Sequence, residues 1–222
     1  MALVTEVFHP DQRPVPHLVH YVGRQRGSDP LPRDVRGLTT EQRLSAILVT
    51  GLLRGFVTTG TVNRPVVCVS DASPAELEAS FRIGMNARGR VEPWALVFDR
   101  QIAWETGIRP ALYADTQLAH QLRYDFFGEH PTRPGLVQRV DPIAGDGYTD
   151  WSHEREWRWV FPVSSQVPDP NPTVQVWPIL HAVIAGRQGW KPDGAISAYP
   201  ERATVQRWSW TGTSLVHDGT LA

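Results

Sequence analysis

Apolar positions in the first half of the chain alternate between short continuous runs and helical spacing. His17-Leu18-Val19-His20-Tyr21-Val22 reads as a first strand, ended by Gly23. Leu44, Ile47, Leu48, Leu52 and Leu53 recur at the three- and four-residue spacing of one helix face. Thr39 with Gln42 three positions on is a capping-box signature for the start of that helix, and Gly51 and Gly55 bracket its end. Val66-Val67-Cys68-Val69-Ser70 has the pattern of a strand buried on both faces. Ser73-Pro74-Ala75-Glu76 supplies an N-cap, a proline at the first helical position and the capping glutamate, for a helix running to Ile83 and stopping at Gly84. Trp94–Phe98 predicts another strand, 100–106 a short helix or turn closed by Gly107, and Pro110–Ala114 a further strand. Asp115 can cap a helix reaching Phe127.

Residues 128–150, rich in Gly, Pro and Asp, are long for a simple connection and read as a lid or binding loop. After them the pattern turns to strands: Glu156–Val163, Thr173–Trp177, His181–Ala185, and a closing hairpin around Val205–Trp210 and Ser214–His217. Helices early and strands late favour an α+β fold over a doubly wound α/β one. The length of 222 residues fits a single domain, 1–222, in which proline-studded residues 1–16 are an irregular lead-in.

Composition narrows the function classes. Lys plus Arg is 22 and Asp plus Glu is 23, a net charge of −1, which lacks the basic excess of a dedicated nucleic-acid coat. The single cysteine, Cys68, excludes an intrachain disulfide and a Cys-rich zinc module, and its apolar strand suits a packed thiol. No apolar run is long enough to span a bilayer, and the N-terminus has no cationic segment ahead of an apolar one. The sequence therefore predicts a cytoplasmic chain with no membrane partner. P-loop, Rossmann, nucleophile-elbow and His-Glu-x-x-His motifs are all missing, and no metal site is expected.

The segment densest in chemistry is Trp151-Ser152-His153-Glu154-Arg155-Glu156-Trp157-Arg158-Trp159. On a strand, period two puts Glu154, Glu156 and Arg158 on one face and His153, Arg155, Trp157 and Trp159 on the other. That face is either solvated, with Glu–Arg cross-pairing, or a Glu-x-Glu site. In such a site one carboxylate stabilises developing positive charge and the other activates a nucleophile, as oxocarbenium chemistry at a ribose requires.

Four motifs carry a resemblance: Leu52-Leu53-Arg54-Gly55 at the helix end, Val67-Cys68-Val69-Ser70, Pro110-Ala111-Leu112-Tyr113, and Trp151-x-x-Glu154-x-Glu156-Trp157-Arg158. Together they resemble the AbiGi-type abortive-infection family of bacterial phage-defence proteins. More distantly, they resemble DarT-type toxins and the ADP-ribosyltransferase fold, over roughly residues 17–186. The resemblance implies a split β-sheet with flanking helices and a cleft for NAD as substrate. It puts His20 and Tyr21 of the first strand at that cleft, with Arg24 as an alternative to His20. Ser70 takes the middle-strand position, although Ser70-Asp71-Ala72-Ser73 departs from the family's Ser-Thr-Ser. Glu156 becomes the catalytic carboxylate and Glu154 its partner, acting on the acceptor. Tyr113 and Trp151 are candidates to stack on nicotinamide or adenine, and Arg24, Arg26, Arg33 and Arg36 to hold pyrophosphate. The implied function is an NAD-dependent ADP-ribosyltransferase or NAD glycohydrolase, a toxin or phage-defence effector, with a protein or nucleic acid as acceptor. The alternative is a non-catalytic nucleotide- or partner-binding component, an antitoxin or sensor, on the same fold.

Overall fold

The computed structural model describes residues 17–22, 35, 37–57, 64–86, 89–127, 130, 132–139, 155–162, 172–196 and 199–221. In chain order its elements begin with β1 (His17–Tyr21), α1 (Thr40–Thr50), β2 (Leu52–Arg54), β3 (Phe56–Val57), β4 (Pro65–Ser70) and α2 (Pro74–Ile83). They continue with β5 (Met85–Asn86), β6 (Gly89–Arg90), β7 (Ala95–Asp99), α3 (Arg100–Glu105), β8 (Arg109–Pro110), β9 (Leu112–Ala114) and α4 (Thr116–His120). The last are β10 (Val137–Arg139), β11 (Glu156–Val160), β12 (Thr173–Gln175), β13 (Leu180–Ala185), β14 (Gln206–Trp210) and β15 (Leu215–Thr220). The fold is α+β, with α-helices confined to residues 40–120 among those described and strands that pair mostly antiparallel.

Local sequence sets the helix ends. Thr39 accepts from the Gln42 N–H at 3.2 Å while the Gln42 side chain accepts from the Thr39 N–H at 2.9 Å. Ser73 and Glu76 form the same reciprocal box in front of α2. Each box satisfies two amide donors that the first helical turn would otherwise leave unpaired. Gly51 ends α1 with φ 70°, the left-handed conformation that a residue with a Cβ resists. Asp115 caps α4 through the Leu118 N–H, but the α-helix ends at His120 and the chain continues as a π-helical turn, Gln121–Phe126.

The chain divides into two compact units. The described residues within 1–52, 72–103 and 175–222 make the first, and those within 53–71 and 104–174 the second. In the first unit the strands lie in the order β15-β14-β13-β7-β1, antiparallel except for parallel β13 and β14. Ala95 to Phe98 are four consecutive buried residues, so β7 is covered on both faces. On one face Val19, Val97, Ile184, Trp208 and Trp210 pack with Leu77 and Phe81 of α2. Each large apolar side chain so buried contributes about 1.5–3 kcal/mol.

In the second unit β3, β4, β11 and β8 pair antiparallel in that order. Beside them, β9 and β10 pair parallel. Ala114, Ala119 and Val137 form a small core there, with Leu122 and Phe127 packed on it. The strand β10 and the 3-10 turn Arg133–Leu136 before it correct the expectation of an uninterrupted loop over 128–150. Three residues are too few for alternation to register in sequence, and Val137–Arg139 becomes a strand by pairing with β9. Two other strands are shorter than expected. β11 stops at Val160, two residues before Pro162, and β12 stops at Gln175, before the 3-10 turn Trp177–Ile179 that contains Pro178.

Candidate active site

The register of β4 against β11 brings two of the sequence-predicted residues together. Glu156 lies directly opposite Ser70, and Arg158 opposite Cys68. Residues paired across an antiparallel ladder project to the same face, so Glu156, Arg158, Ser70 and Cys68 share one side of the sheet. Tyr113 joins them from β9, its hydroxyl accepting the Glu156 N–H at 3.1 Å. The Glu156 carbonyl in turn accepts from the Ala111 N–H at 2.8 Å. The chain enters β11 through Arg155, the one non-glycine among the described residues with a left-handed backbone (φ 43°). Such a conformation persists where the surroundings over-determine it, and it is enriched next to functional residues.

Of the two alternatives for this face, the solvated one is not what forms. Glu156 is 3% exposed and Arg158 1%. The two side chains, two residues apart on one strand, make a bidentate pair: Arg158 Nε donates to Glu156 Oε1 at 3.1 Å and Nη2 to Oε2 at 3.3 Å. Arg158 Nη1 also donates to the Gly135 carbonyl at 2.9 Å, and Nη2 to Gln138 Oε1. The guanidinium fork matches a carboxylate edge and still has donors for two further acceptors. Gly135 can approach this closely because it has no side chain; a Cβ there would stand 2.5 Å from Val160 Cγ1. Nearby at the start of β4, burial pulls the Arg64 guanidinium below its ordinary pKa.

Arg109 and Trp104 form a second feature of this unit. The guanidinium lies 4.0 Å over the Trp104 ring, which also meets Trp157 edge-on with centroids 6.0 Å apart. Arg109 Nη1 also donates to the Trp104 and Ile108 carbonyls, which fixes it on the ring.

The remaining sequence candidates belong to the first unit or lie outside the described residues. His20 and Tyr21 lie on β1 in the first unit, opposite Leu96 and Ala95 of β7. Tyr21 packs T-shaped on Phe81, with centroids 6.1 Å apart, and lies against the core cluster with Val19. His20 alternates to the opposite face and is half-buried. Glu154, Trp151 and Arg24, with Arg26, Arg33 and Arg36, lie outside the described residues. Sequence reasoning missed Gln138 and Gly135. Pro134-Gly135 reads as a turn, and nothing local announces that Gln138 faces an arginine 20 positions away.

Among the described residues no cluster of three or more His, Cys, Asp or Glu side chains is arranged to hold a metal ion. No described helix is long and apolar enough to cross a membrane. Compared with known proteins, the chain matches no family model, no curated protein and no solved structure.

Proposed function

We propose that the chain is an NAD-consuming ADP-ribosyltransferase or NAD glycohydrolase in which Glu156 is the central catalytic residue. The observation that carries this reading is the pairing of β4 with β11, which sets Ser70 opposite Glu156 on one face, with the Tyr113 hydroxyl on the Glu156 backbone. A carboxylate on the same sheet face as a serine suits a ribose diol and a centre that becomes positive as its bond to nicotinamide breaks.

In this reading NAD supplies the glycosidic bond that is broken, and its electron pair leaves with neutral nicotinamide. The Glu156 carboxylate hydrogen-bonds the adjoining ribose and stabilises the charge that develops there. Ser70 lines the same face, His20 is assigned to NAD binding, and Glu154 takes the proton from the attacking acceptor or water. The biological setting is a bacterial toxin or phage-defence effector acting in the cytoplasm.

One observation favours a second reading, a nucleotide- or partner-binding component without turnover: Glu156 is almost completely buried and engaged by Arg158 through both oxygens. Nicotinamide release from NAD by the purified protein separates the two. The enzyme reading expects release by wild type, and a loss of about a hundredfold or more in kcat for Glu156→Gln protein that circular dichroism shows to be folded. No release by wild type leaves the binding component, and equal rates in the two proteins remove Glu156 from the catalytic role.

A further inference from the structure

We infer that Arg158 is a positioning residue that makes the orientation of the Glu156 carboxylate depend on the Gly135–Gln138 segment, so that this segment sets the activity of the site. The inference rests on the enzymatic reading of Glu156. Its basis is the distribution of the Arg158 donors. One side of the guanidinium holds both oxygens of Glu156, and the other holds the Gly135 carbonyl and the Gln138 side chain. A single planar group thus links β11 to β10 and to the turn before it, and its plane fixes the carboxylate edge that it faces. Three further features support a built device. Arg158 and Glu156 are 1% and 3% exposed and Gln138 8%, so water does not substitute for these partners. Gly135 stands against Val160, where a Cβ has no room, so the carbonyl meets Arg158 from a fixed place. Tyr113, on the strand that pairs with β10, accepts from the Glu156 amide, with Tyr113 opposite Gln138 in register. The β9–β10 pair therefore touches Glu156 twice, directly through Tyr113 and indirectly through Gln138 and Arg158. Arg158 itself needs no contact with substrate. Its effect is geometric: misplacing a catalytic group by about an ångström can cost about a hundredfold in rate.

The test measures steady-state NAD cleavage and urea unfolding side by side on the full chain. The proteins are wild type, Gln138→Leu, Gln138→Glu, Arg158→Lys, Glu156→Gln and the double variant Glu156→Gln/Gln138→Leu. Gln138→Leu removes the acceptor at nearly constant volume, and the expected result is a fall of about tenfold or more in kcat with KM within about twofold. Gln138→Glu puts a second anion on the same guanidinium, which draws it from Glu156, and kcat falls although the hydrogen bond is kept. Arg158→Lys keeps the charge and loses the fork, so kcat falls there too. In the Glu156→Gln background, Gln138→Leu changes the residual rate by less than about twofold, because the carboxylate it positions is gone. Wild-type kcat in either folded Gln138 variant overturns the inference. If wild type cleaves no NAD, the enzymatic reading fails by itself, and unfolding then decides the link. The Glu156 and Gln138 effects on the unfolding constant depart from their product by about threefold or more if Arg158 couples them; effects that multiply overturn it.

Discussion

The two units each carry a buried or half-buried carboxylate–guanidinium centre, and the two are wired in opposite senses. In the second unit the arginine is the hub: Arg158 donates to Glu156, Gly135 and Gln138. In the first the carboxylate is the hub: Asp218 accepts from the Gly189 N–H at 2.7 Å, the Ser209 hydroxyl at 2.8 Å and Arg207 Nε at 3.1 Å. Arg207 then returns to the Trp190 and Asp218 carbonyls. The Asp218 centre ties the adjacent strands β14 and β15 to the turn at Gly189, and its side chains keep 11% and 23% exposure. It is a surface-facing tie that reaches 29 residues back to Gly189. The Glu156 pair is 1% and 2% exposed on its side chains and reaches across 20 residues to Gln138. Burying an ion pair costs several kcal/mol of desolvation per ion, and well-packed apolar residues commonly do as well or better. Such a pair adds little net stability, whereas removing one partner leaves an uncompensated buried charge.

The largest expected effect breaks the deeper centre. Arg158→Ala leaves Glu156 buried without its counter-charge and takes the donor from Gly135 and Gln138. Urea unfolding should show a loss of about 3–5 kcal/mol. A loss below about 1 kcal/mol would mean that water reaches the pair and that the contrast between the two centres is false.

The same contrast marks how far the sequence is legible. Thr39 with Gln42, and Ser73 with Pro74 and Glu76, decide helix starts within one turn, so both starts are predictable to the residue, whereas Leu52 and Leu53, expected on the first helix, lie in β2 beyond the Gly51 cap. Strand alternation is equally local, and it puts Glu156 and Arg158 on one face. What it does not reveal is whether that face is wet. Glu and Arg on a strand ordinarily mean solvent, and here the covering groups come from Gly135 and Gln138, which only the fold brings near. The π-helical turn after His120 and the Tyr113 hydroxyl on the Glu156 amide are likewise tertiary events without a sequence signature. Ser70 was legible in type and its partnership with Glu156 was not, because that depends on the register of two strands about 85 residues apart.

A smaller effect is expected at the first unit's centre. Asp218→Ala removes the shared acceptor of Gly189, Ser209 and Arg207. Ser209 keeps the Arg187 carbonyl and Arg207 keeps the Trp190 carbonyl, so the donors are not all stranded. Partial exposure discounts the charge contribution further, and the expected loss is about 1–2 kcal/mol. NAD cleavage should be unaffected. A loss as large as that of Arg158→Ala would erase the distinction between tie and clamp.

The smallest effect is a pH dependence, and it sharpens the first unit's side of the comparison. Burial by itself raises the Asp218 carboxyl. The hydrogen bonds from Gly189, Ser209 and Arg207, with the Arg207 charge, outweigh it and hold the group below its ordinary pKa. A carboxyl lowered on folding binds its proton more weakly in the native state than in the unfolded chain. Its stabilising contribution is therefore complete above the unfolded value, about pH 4, and declines as the pH falls through the lower folded value. Every other carboxylate titrates in the same range, so wild type alone does not isolate it. The difference in unfolding free energy between wild type and Asp218→Asn does. That difference should be constant from about pH 7 to about pH 5 and shrink toward about pH 3, as the wild-type group takes up its proton and comes to resemble the amide. A difference that stays level or grows over the same interval would show that the three donors do not favour the ionised form. The Asp218 centre would then owe its place to packing of β14 on β15 alone.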